Sequence, residues 1–196
     1  LLRYLAEQRD TLANVYSITK GITAIALHRL VDEGRVDLDA PVARYWPEFA
    51  RAGKERIPVR QLLSHEAGLA AVRRPLAADA IYDWELMVEA LAEQAPWWEP
   101  GKAHGYHALS YGWLVGEVIR RVRGRSVGAV VREEIARPLG VEFEIGFGPE
   151  LDDRVAPLLP GPVHAAPDGS PAFDLAGAIA ADPQGLLACA FANPPI

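Results

Sequence analysis

Apolar residues recur at helical spacing along much of the chain. The first such pattern follows Ser17 and stops at Gly34. Its apolar face consists of Ile22, Ile25, Ala26 and Leu30. Later patterns of the same period predict helices at 57–63, 84–95, 109–122 and 127–138. A spacing of three to four residues between apolar positions is typical of amphipathic helices, so the chain is predicted to be mostly helical.

Strand signals are few by comparison. Residues 141–147 alternate apolar and polar side chains, which predicts a strand, and 154–160 are a second candidate for extended backbone. A last helix of small residues is predicted at 173–181. The chain is therefore expected to contain much helix and little sheet.

Three residues stand where the N-terminus of a helix needs a side-chain acceptor. Asp39, Asp83 and Ser126 each precede a helical pattern, and we predict that each caps the helix that follows. Residues 124–128 also match the Gly-x-Ser-x-Gly nucleophile elbow. An elbow requires a strand before the serine, whereas a basic helix precedes Ser126, so the cap is preferred. The arginines of 120–125 are interpreted as a solvated helix end that complements the helix dipole.

Composition narrows the classes of function. The chain has 196 residues, of which 50% are apolar and 23% charged, as in an ordinary soluble globular domain. Its net charge of −6 leaves no basic surplus for nucleic acid, and no apolar run reaches the length of a membrane span. We therefore expect neither a nucleic-acid nor a membrane partner, and the oligomeric state is left open. The single cysteine, Cys189, excludes an internal disulfide and a cysteine-based metal site.

The start of the chain bears on the compartment. The start of the chain lacks the basic, apolar and small-residue pattern of a signal peptide, which favours a cytoplasmic location. The chain begins with Leu1 rather than methionine, and the true N-terminus is expected to lie further upstream.

Ser17 and Lys20 are the first candidates for chemistry. They are three residues apart at the start of a helical pattern, so a helix places both side chains on one face. A serine hydroxyl becomes a good nucleophile when a base removes its proton. A lysine serves as that base when burial or a nearby cation lowers its pKa. The Ser-x-x-Lys spacing alone also fits an ordinary first turn with a solvated lysine.

Four segments in order carry a family resemblance. They are 15–24 with Ser17 and Lys20, 34–42 (Gly-Arg-Val-Asp-Leu-Asp-Ala-Pro-Val), 62–69 (Leu-Leu-Ser-His-Glu-Ala-Gly-Leu) and 96–108 with Tyr106. Together they resemble the serine β-lactamase superfamily, specifically the class C β-lactamase-like hydrolases and the family VIII esterases. The resemblance implies an α/β (α+β) fold of the β-lactamase/transpeptidase-like type. This chain is expected to supply its mostly helical portion with an incomplete antiparallel sheet, as a single domain over 1–196 that is incomplete at both ends.

The same resemblance implies roles for three side chains. Ser17 is the expected nucleophile and forms an acyl-enzyme, while Lys20 and Tyr106 are the expected acid/base pair. The expected substrate is a small ester or amide, and neither a cofactor nor a metal is implied. Ala108 stands where β-lactamases have an asparagine that contacts the substrate amide. That replacement favours ester substrates over β-lactams.

A non-catalytic alternative stands beside the enzyme. The family's third motif, a Lys-Thr-Gly or His-x-Gly triplet on a strand, does not occur before Ile196. The alternative is therefore a remnant or binding module of the same fold without activity. Because strands at both ends of the fold are expected to be missing, Ile22, Ile25 and Leu30 are predicted to lack part of their apolar cover.

Trp97, Trp98 and His107 are expected near the substrate. The two tryptophans fit two interpretations equally well, as the wall of an apolar acyl pocket or as core packing. His104 and His107 lie in a glycine-containing loop without a carboxylate at ligand spacing. They are therefore expected to line the mouth of the site rather than to bind a metal. His65 is interpreted as structural rather than as a general base.

Overall fold

The computed structural model describes residues 10–158 and 174–194, and this part of the chain is mostly helical. The α-helices are α1 (Ile18–Asp32), α2 (Val59–Leu63), α3 (Trp84–Glu93), α4 (Ser110–Arg123), α5 (Val127–Val131), α6 (Arg137–Leu139), α7 (Leu175–Ala181) and α8 (Leu186–Ala192). Short 3-10 helices cover Val42–Arg44, Pro47–Gly53, Ala78–Tyr82 and Pro149–Arg154, and a π-helical turn covers Arg132–Ala136. No helix within these described ranges is long and apolar enough to cross a bilayer.

The predicted helices are confirmed with small shifts of their ends. The 127–138 pattern becomes α5, the π-helical turn and α6 in direct succession. The pattern at 173–181 becomes α7, which begins at Leu175, while residue 173 lies outside the described residues.

The core lies between α1 and α4. Leu27 and Leu30 of α1, together with Leu114 and Ile119 of α4, are fully buried, because the apolar positions of the two helices recur on the faces that meet. Helix α5 also packs against α1. Leu30 is therefore covered, and the prediction that it lacks apolar cover is wrong.

The opposite side of α1 does carry exposed apolar side chains. Ile18 is 67% exposed and Ile25 is 50% exposed. Ile22 is half-buried and packs against the core. The predicted lack of cover therefore holds for Ile25 and in part for Ile22, and it extends to Ile18.

Two of the three predicted caps are confirmed. The Asp83 carboxylate accepts a hydrogen bond from the Leu86 amide at 3.0 Å, and the Ser126 hydroxyl accepts one from the Ala129 amide at 3.2 Å. Ser126 is thus engaged as a helix cap. The prediction for Asp39 is wrong, because its carboxylate instead pairs with the guanidinium of Arg60.

The predicted strand at 141–147 is not formed. Within residues 10–158 and 174–194, the β-type pairings are two isolated bridges, between Leu12 and Val155 and between Pro41 and Pro58. An alternating sequence forms a strand only when a neighbouring strand supplies ladder hydrogen bonds, and the described residues place none beside 141–147. The second extended candidate, 154–160, contributes Val155 to one bridge, while residues 159 and 160 lie outside the described residues.

The basic helix end is not solvated as interpreted. Arg120 and Arg121 both donate to the carboxylate of Glu117, at 2.7 and 2.6 Å. Glu117 is fully buried, and its third donor is the Trp84 indole at 2.8 Å. A buried carboxylate needs such partners to offset its lost hydration. Trp84 and the ion pair of Arg120 with Glu85, at 2.9 Å, therefore fasten α4 to α3, while Arg121 pairs with Glu48 at 2.8 Å.

Candidate active site

Ser17 occupies the position immediately before α1. Tyr16 precedes it in the left-handed region with φ of 46°, and the Tyr16 amide donates to the Asn14 side-chain oxygen at 2.7 Å. The Ser17 hydroxyl makes no capping hydrogen bond to α1. A serine at this position usually accepts a bond from the first turn. Ser17 Oγ is therefore left to other partners.

Lys20 and Tyr106 both reach the Ser17 hydroxyl. The Lys20 ammonium donates to Ser17 Oγ at 3.2 Å, and the Tyr106 hydroxyl donates to the same oxygen at 2.6 Å. Lys20 Nζ also lies 4.9 Å from the centroid of the Tyr106 ring. One turn of α1 brings Lys20 to Ser17, whereas Tyr106 arrives from a loop 89 residues away. The structure thus brings together the three side chains expected to be catalytic.

The surroundings of Tyr106 favour its phenolate. Partial burial raises the pKa of Tyr106, but hydrogen bonds with Ser17 and Lys20, and the positive charge of Lys20, outweigh that effect and leave the pKa below its ordinary value. Tyr106 is 46% exposed, so a small molecule can reach this residue. A phenol of lowered pKa beside a serine has the properties of a general base.

The segment 64–69 supports the loop that carries Tyr106. Its backbone oxygens accept three hydrogen bonds from that loop: Gly68 from Trp97 N at 2.7 Å, Glu66 from Gly101 N at 3.0 Å and His65 from Gly105 N at 3.1 Å. Two of the segments that carry the family resemblance are therefore in direct contact. One of them presents the tyrosine, and the other holds the loop in place.

Trp98 lies between two glycines of these segments. A Cβ at Gly68, where φ is +73°, would meet the Trp98 carbonyl oxygen at 2.6 Å. A Cβ at Gly105 would meet the Trp98 indole ring at 2.5 Å. The indole also contacts the His107 ring edge-on, with the centroids 5.9 Å apart. Of the two interpretations of Trp98, these contacts favour packing beneath the Tyr106 loop.

Trp97 points to a different part of the molecule. Its indole donates to the Ala71 carbonyl at 2.8 Å, and the Arg73 guanidinium stacks 3.8 Å from its ring centroid. It packs in a small cluster with Cys189 and lines a groove of about 650 Å³ against α8. Ser17, Lys20 and Tyr106 do not line this groove. Packing is therefore the favoured interpretation for Trp97 too.

His107 does not lie at the mouth of the site, where it was expected. The side chain is fully buried, its Nε2 accepts from the Leu69 amide at 3.0 Å and its Nδ1 lies 2.6 Å from the Gly105 carbonyl. Burial is the main reason that the pKa of His107 falls to about 4, so the ring is neutral at neutral pH. Both ring nitrogens are used inside the loop. The buried ring therefore has no free nitrogen with which to bind a substrate.

The neighbouring His104 is exposed. Its ring contacts that of His65 edge-on, with the centroids 5.8 Å apart. Residues 10–158 and 174–194 contain no group of three or more His, Cys, Asp or Glu side chains that could hold one metal ion.

A cavity beside Lys20 was not anticipated from the sequence. It measures about 320 Å³ and opens next to Lys20 and Ala108. Its walls are mostly apolar and include Ile81, Trp84, Trp113 and Ile145. These four residues come from three separate stretches of the chain, so no local pattern could have predicted that they meet. The cavity offers an apolar group a place next to Lys20, while Ser17 and Tyr106 do not line it.

The family follows from comparison with known proteins. A family model described as Beta-lactamase matches residues 5–191. The chain belongs to the beta-lactamase family. The resemblance inferred from the four sequence segments is therefore confirmed.

Relatives in this family include named esterases. The chain is 40% identical over 152 residues to Esterase/beta-lactamase LipL of Mycobacterium tuberculosis, covering 76% of this chain and 35% of that protein. It is 32% identical over 167 residues to Esterase EstB of Burkholderia gladioli, covering 76% of this chain and 42% of that one. The crystal structure of a family VIII carboxylesterase matches with a TM-score of 0.80 and 40% identity, over 96% of this chain and 47% of that one.

These matches establish the β-lactamase/transpeptidase-like fold, and the expected sheet remains a prediction. The chain spans less than half the length of each of the three proteins.

Proposed function

We propose that the protein is a serine hydrolase that forms an acyl-enzyme on Ser17, with small esters as its substrates. The observation that carries the proposal is the environment of Ser17 Oγ, which receives hydrogen bonds from both Lys20 and Tyr106. The names of the esterase relatives support the same reaction class.

The reaction consists of two acyl transfers. In the first, Tyr106 as phenolate accepts the Ser17 proton while Oγ bonds to the ester carbonyl carbon. Tyr106 then gives the proton to the departing alcohol oxygen as the carbon–oxygen bond breaks. In the second, Tyr106 takes a proton from water, which adds to the acyl carbon, and returns that proton to Oγ as the carboxylic acid leaves. The Lys20 ammonium stabilises the phenolate in each step.

An ester is favoured over an amide or β-lactam because of Ala108. Its methyl group has no donor for a substrate amide, while the adjoining cavity of about 320 Å³ offers apolar walls. An alkyl or aryl acyl group placed there removes apolar surface from water, which contributes about 0.8 kcal/mol per methylene. We propose that the acyl group of the substrate occupies this cavity.

Covalent labelling tests the nucleophile. A fluorophosphonate probe should label Ser17 in the purified protein, as located by mass spectrometry, and Ser17→Ala should abolish the label. Ser126→Asn is a matched control, since asparagine keeps a helix cap but removes the hydroxyl. A folded protein that is not labelled at Ser17 would instead favour the non-catalytic remnant or binding module.

Substrate choice is tested separately. We expect a higher kcat/KM for p-nitrophenyl butyrate than for a chromogenic cephalosporin. Ala108→Asn brings a polar amide to the cavity and should lower kcat/KM for the butyrate roughly tenfold, with a smaller loss for the acetate. Equal or faster turnover of the cephalosporin by the unaltered protein would contradict the ester preference.

A further inference from the structure

His65 contacts the backbone on both sides of Tyr106. Its carbonyl oxygen accepts from the Gly105 amide at 3.1 Å, and its ring Nδ1 accepts from the His107 amide at 3.1 Å. These amides belong to the residues immediately before and after the tyrosine. One residue therefore fixes the peptide groups that flank Tyr106.

The His65 ring also packs against the tyrosine itself. The centroids of the His65 and Tyr106 rings are 5.0 Å apart with a tilt of 57°, and the His65 and Tyr111 centroids are also 5.0 Å apart. Tyr111 is buried at the start of α4, so it provides a fixed surface on which the histidine ring rests. The position of Tyr106 is thus restricted at both its backbone and its ring.

Nδ1 of His65 can accept the hydrogen bond from the His107 amide only when the His65 ring is neutral. Because Nδ1 accepts a hydrogen bond, it carries no proton, and the neutral ring holds its proton on Nε2. Burial, followed by the neighbouring His104 and Lys20, lowers the pKa of His65, which favours that neutral form. His65 also adopts φ of 62°, a conformation that asparagine and histidine tolerate better than most residues.

We propose that His65 is a positioning residue that holds the Tyr106 hydroxyl against Ser17 Oγ. This inference rests on the proposed function, in which Tyr106 is the base. His65 touches neither substrate nor the reacting atoms and acts through Tyr106 alone. Losing it should therefore slow the chemical step and leave substrate binding nearly unchanged, because a misplaced base affects only the transition state.

A set of variants separates the effect of losing the Nδ1 acceptor of His65 from the effect of backbone strain at its positive φ. His65→Gly removes the ring and its acceptor at a position where glycine is unstrained. His65→Asn keeps an oxygen near the place of Nδ1 and also tolerates positive φ. With p-nitrophenyl butyrate, we expect His65→Gly to lower kcat roughly 10- to 100-fold with KM within about threefold. His65→Asn should recover kcat to within about fivefold of the unaltered protein.

Two controls accompany these variants. His28→Asn makes the same kind of exchange at an exposed position of α1 and should keep kcat within about twofold, as is usual for surface substitutions. Melting curves establish that each variant is folded. If His65→Gly does not fold, His65→Ala replaces it, since alanine has no acceptor and its single methyl group adds less strain at positive φ than a larger apolar side chain.

Tyr106→Phe in the same assay distinguishes the two proposals. A fully active Tyr106→Phe would overturn the role of Tyr106 and that of His65 with it. An inactive Tyr106→Phe beside an unaffected His65→Gly would overturn only the role of His65. The role is also overturned if His65→Asn is no faster than the acceptor-free variant, or if KM rises while kcat is unchanged.

Discussion

Lys20 and Lys54 place their ammonium groups in two contrasting regions. The Nζ of Lys54 is buried in the helical body and donates to the carbonyl oxygens of Arg51, Ala92 and Gln94 at 2.8, 2.7 and 2.6 Å. The half-buried Lys20 instead donates to the Ser17 hydroxyl. Each ammonium lies near an aromatic ring, at 4.9 Å from Tyr106 for Lys20 and 5.4 Å from Phe49 for Lys54.

The difference shows that burial alone does not identify a functional lysine. Burial, with a smaller effect from Arg51, lowers the pKa of Lys54 to about 8, so the group is still mainly protonated at neutral pH. Its three N–H donors then match three carbonyl acceptors, none of which can exchange a proton. Lys54 ties the 3-10 helix Pro47–Gly53 to the end of α3. Lys20 faces two hydroxyl groups that can exchange a proton.

The largest expected effect comes from exchanging Lys20. Lys20→Arg keeps the positive charge, but the larger planar guanidinium cannot hold it where the ammonium meets Ser17 Oγ and stabilises the Tyr106 phenolate, so Tyr106 no longer serves as the general base. We expect the acylation rate to fall roughly 100- to 10,000-fold, the range typical of losing general acid–base assistance. The melting temperature should change little, because Lys20 lies at the start of α1 outside the buried core. Burst kinetics with a p-nitrophenyl ester measure the acylation rate.

Lys102→Arg is the matched control for this exchange, since Lys102 is exposed. It should alter neither rate nor stability, as is usual for surface substitutions. Near-normal acylation by a folded Lys20→Arg protein would indicate that Lys20 is an ordinary solvated lysine of the helix face. Lys20 would then have no catalytic role to set it apart from Lys54.

The second effect concerns stability rather than activity. Lys54→Met fills similar space but leaves three carbonyl oxygens without a donor in a buried site. Since each unpaired buried group costs about 1–3 kcal/mol, we expect the free energy of unfolding to fall by about 3–5 kcal/mol, as measured by urea denaturation. The activity of the molecules that remain folded should be unchanged. A fall below about 1 kcal/mol would mean that the three hydrogen bonds contribute little.

The smallest expected effect concerns the stability contributed by His107. This buried base is neutral at neutral pH, whereas the buried Lys54 is mainly protonated. The pKa of His107 is about 4 in the folded protein, mainly because of burial, and near 6.5 in the unfolded chain. Between these values the unfolded state binds more protons, so stability is lost as the pH falls from 6.5 to 4. The loss from this group is about 3 kcal/mol when complete.

The free energy of unfolding, measured between pH 6.5 and 4, tests whether His107 causes this loss of stability. His107→Gln keeps an acceptor for the Leu69 amide but does not titrate, so its stability should depend less on pH between 6.5 and 4. His28→Gln removes an exposed histidine and should leave the dependence unchanged. An identical acid dependence in His107→Gln and the unaltered protein would show that other groups are responsible.

The sequence was informative wherever function or structure depended on near neighbours. The spacing of Ser17 and Lys20 requires only one helical turn, and the caps at Asp83 and Ser126 depend on the three residues that follow each of them. Tyr106 is 89 residues from Ser17, and it could be paired with the serine only through the family resemblance. The catalytic roles of all three remain predictions.

Features that depend on distant partners were missed or misjudged. Glu117 pairs with the arginines 120 and 121 on its own helix, but its burial depends on Trp84 and the packing of α3. The alternation at 141–147 gives no information about whether a partner strand is present. His107 looked like a loop residue, because its acceptor role depends on the Leu69 amide from a separate segment.

The position of Trp98 between Gly68 and Gly105 has a consequence for how this protein can diversify. Any side chain at either glycine would bring a Cβ within 2.6 Å of Trp98, so libraries randomised at these positions should return almost only glycine among folded clones. Ala108 and the cavity wall at Ile81 and Ile145 carry no such restriction. New substrate ranges are therefore accessible by point substitution along the cavity, while the two glycines that make room for Trp98 are closed to the same kind of change.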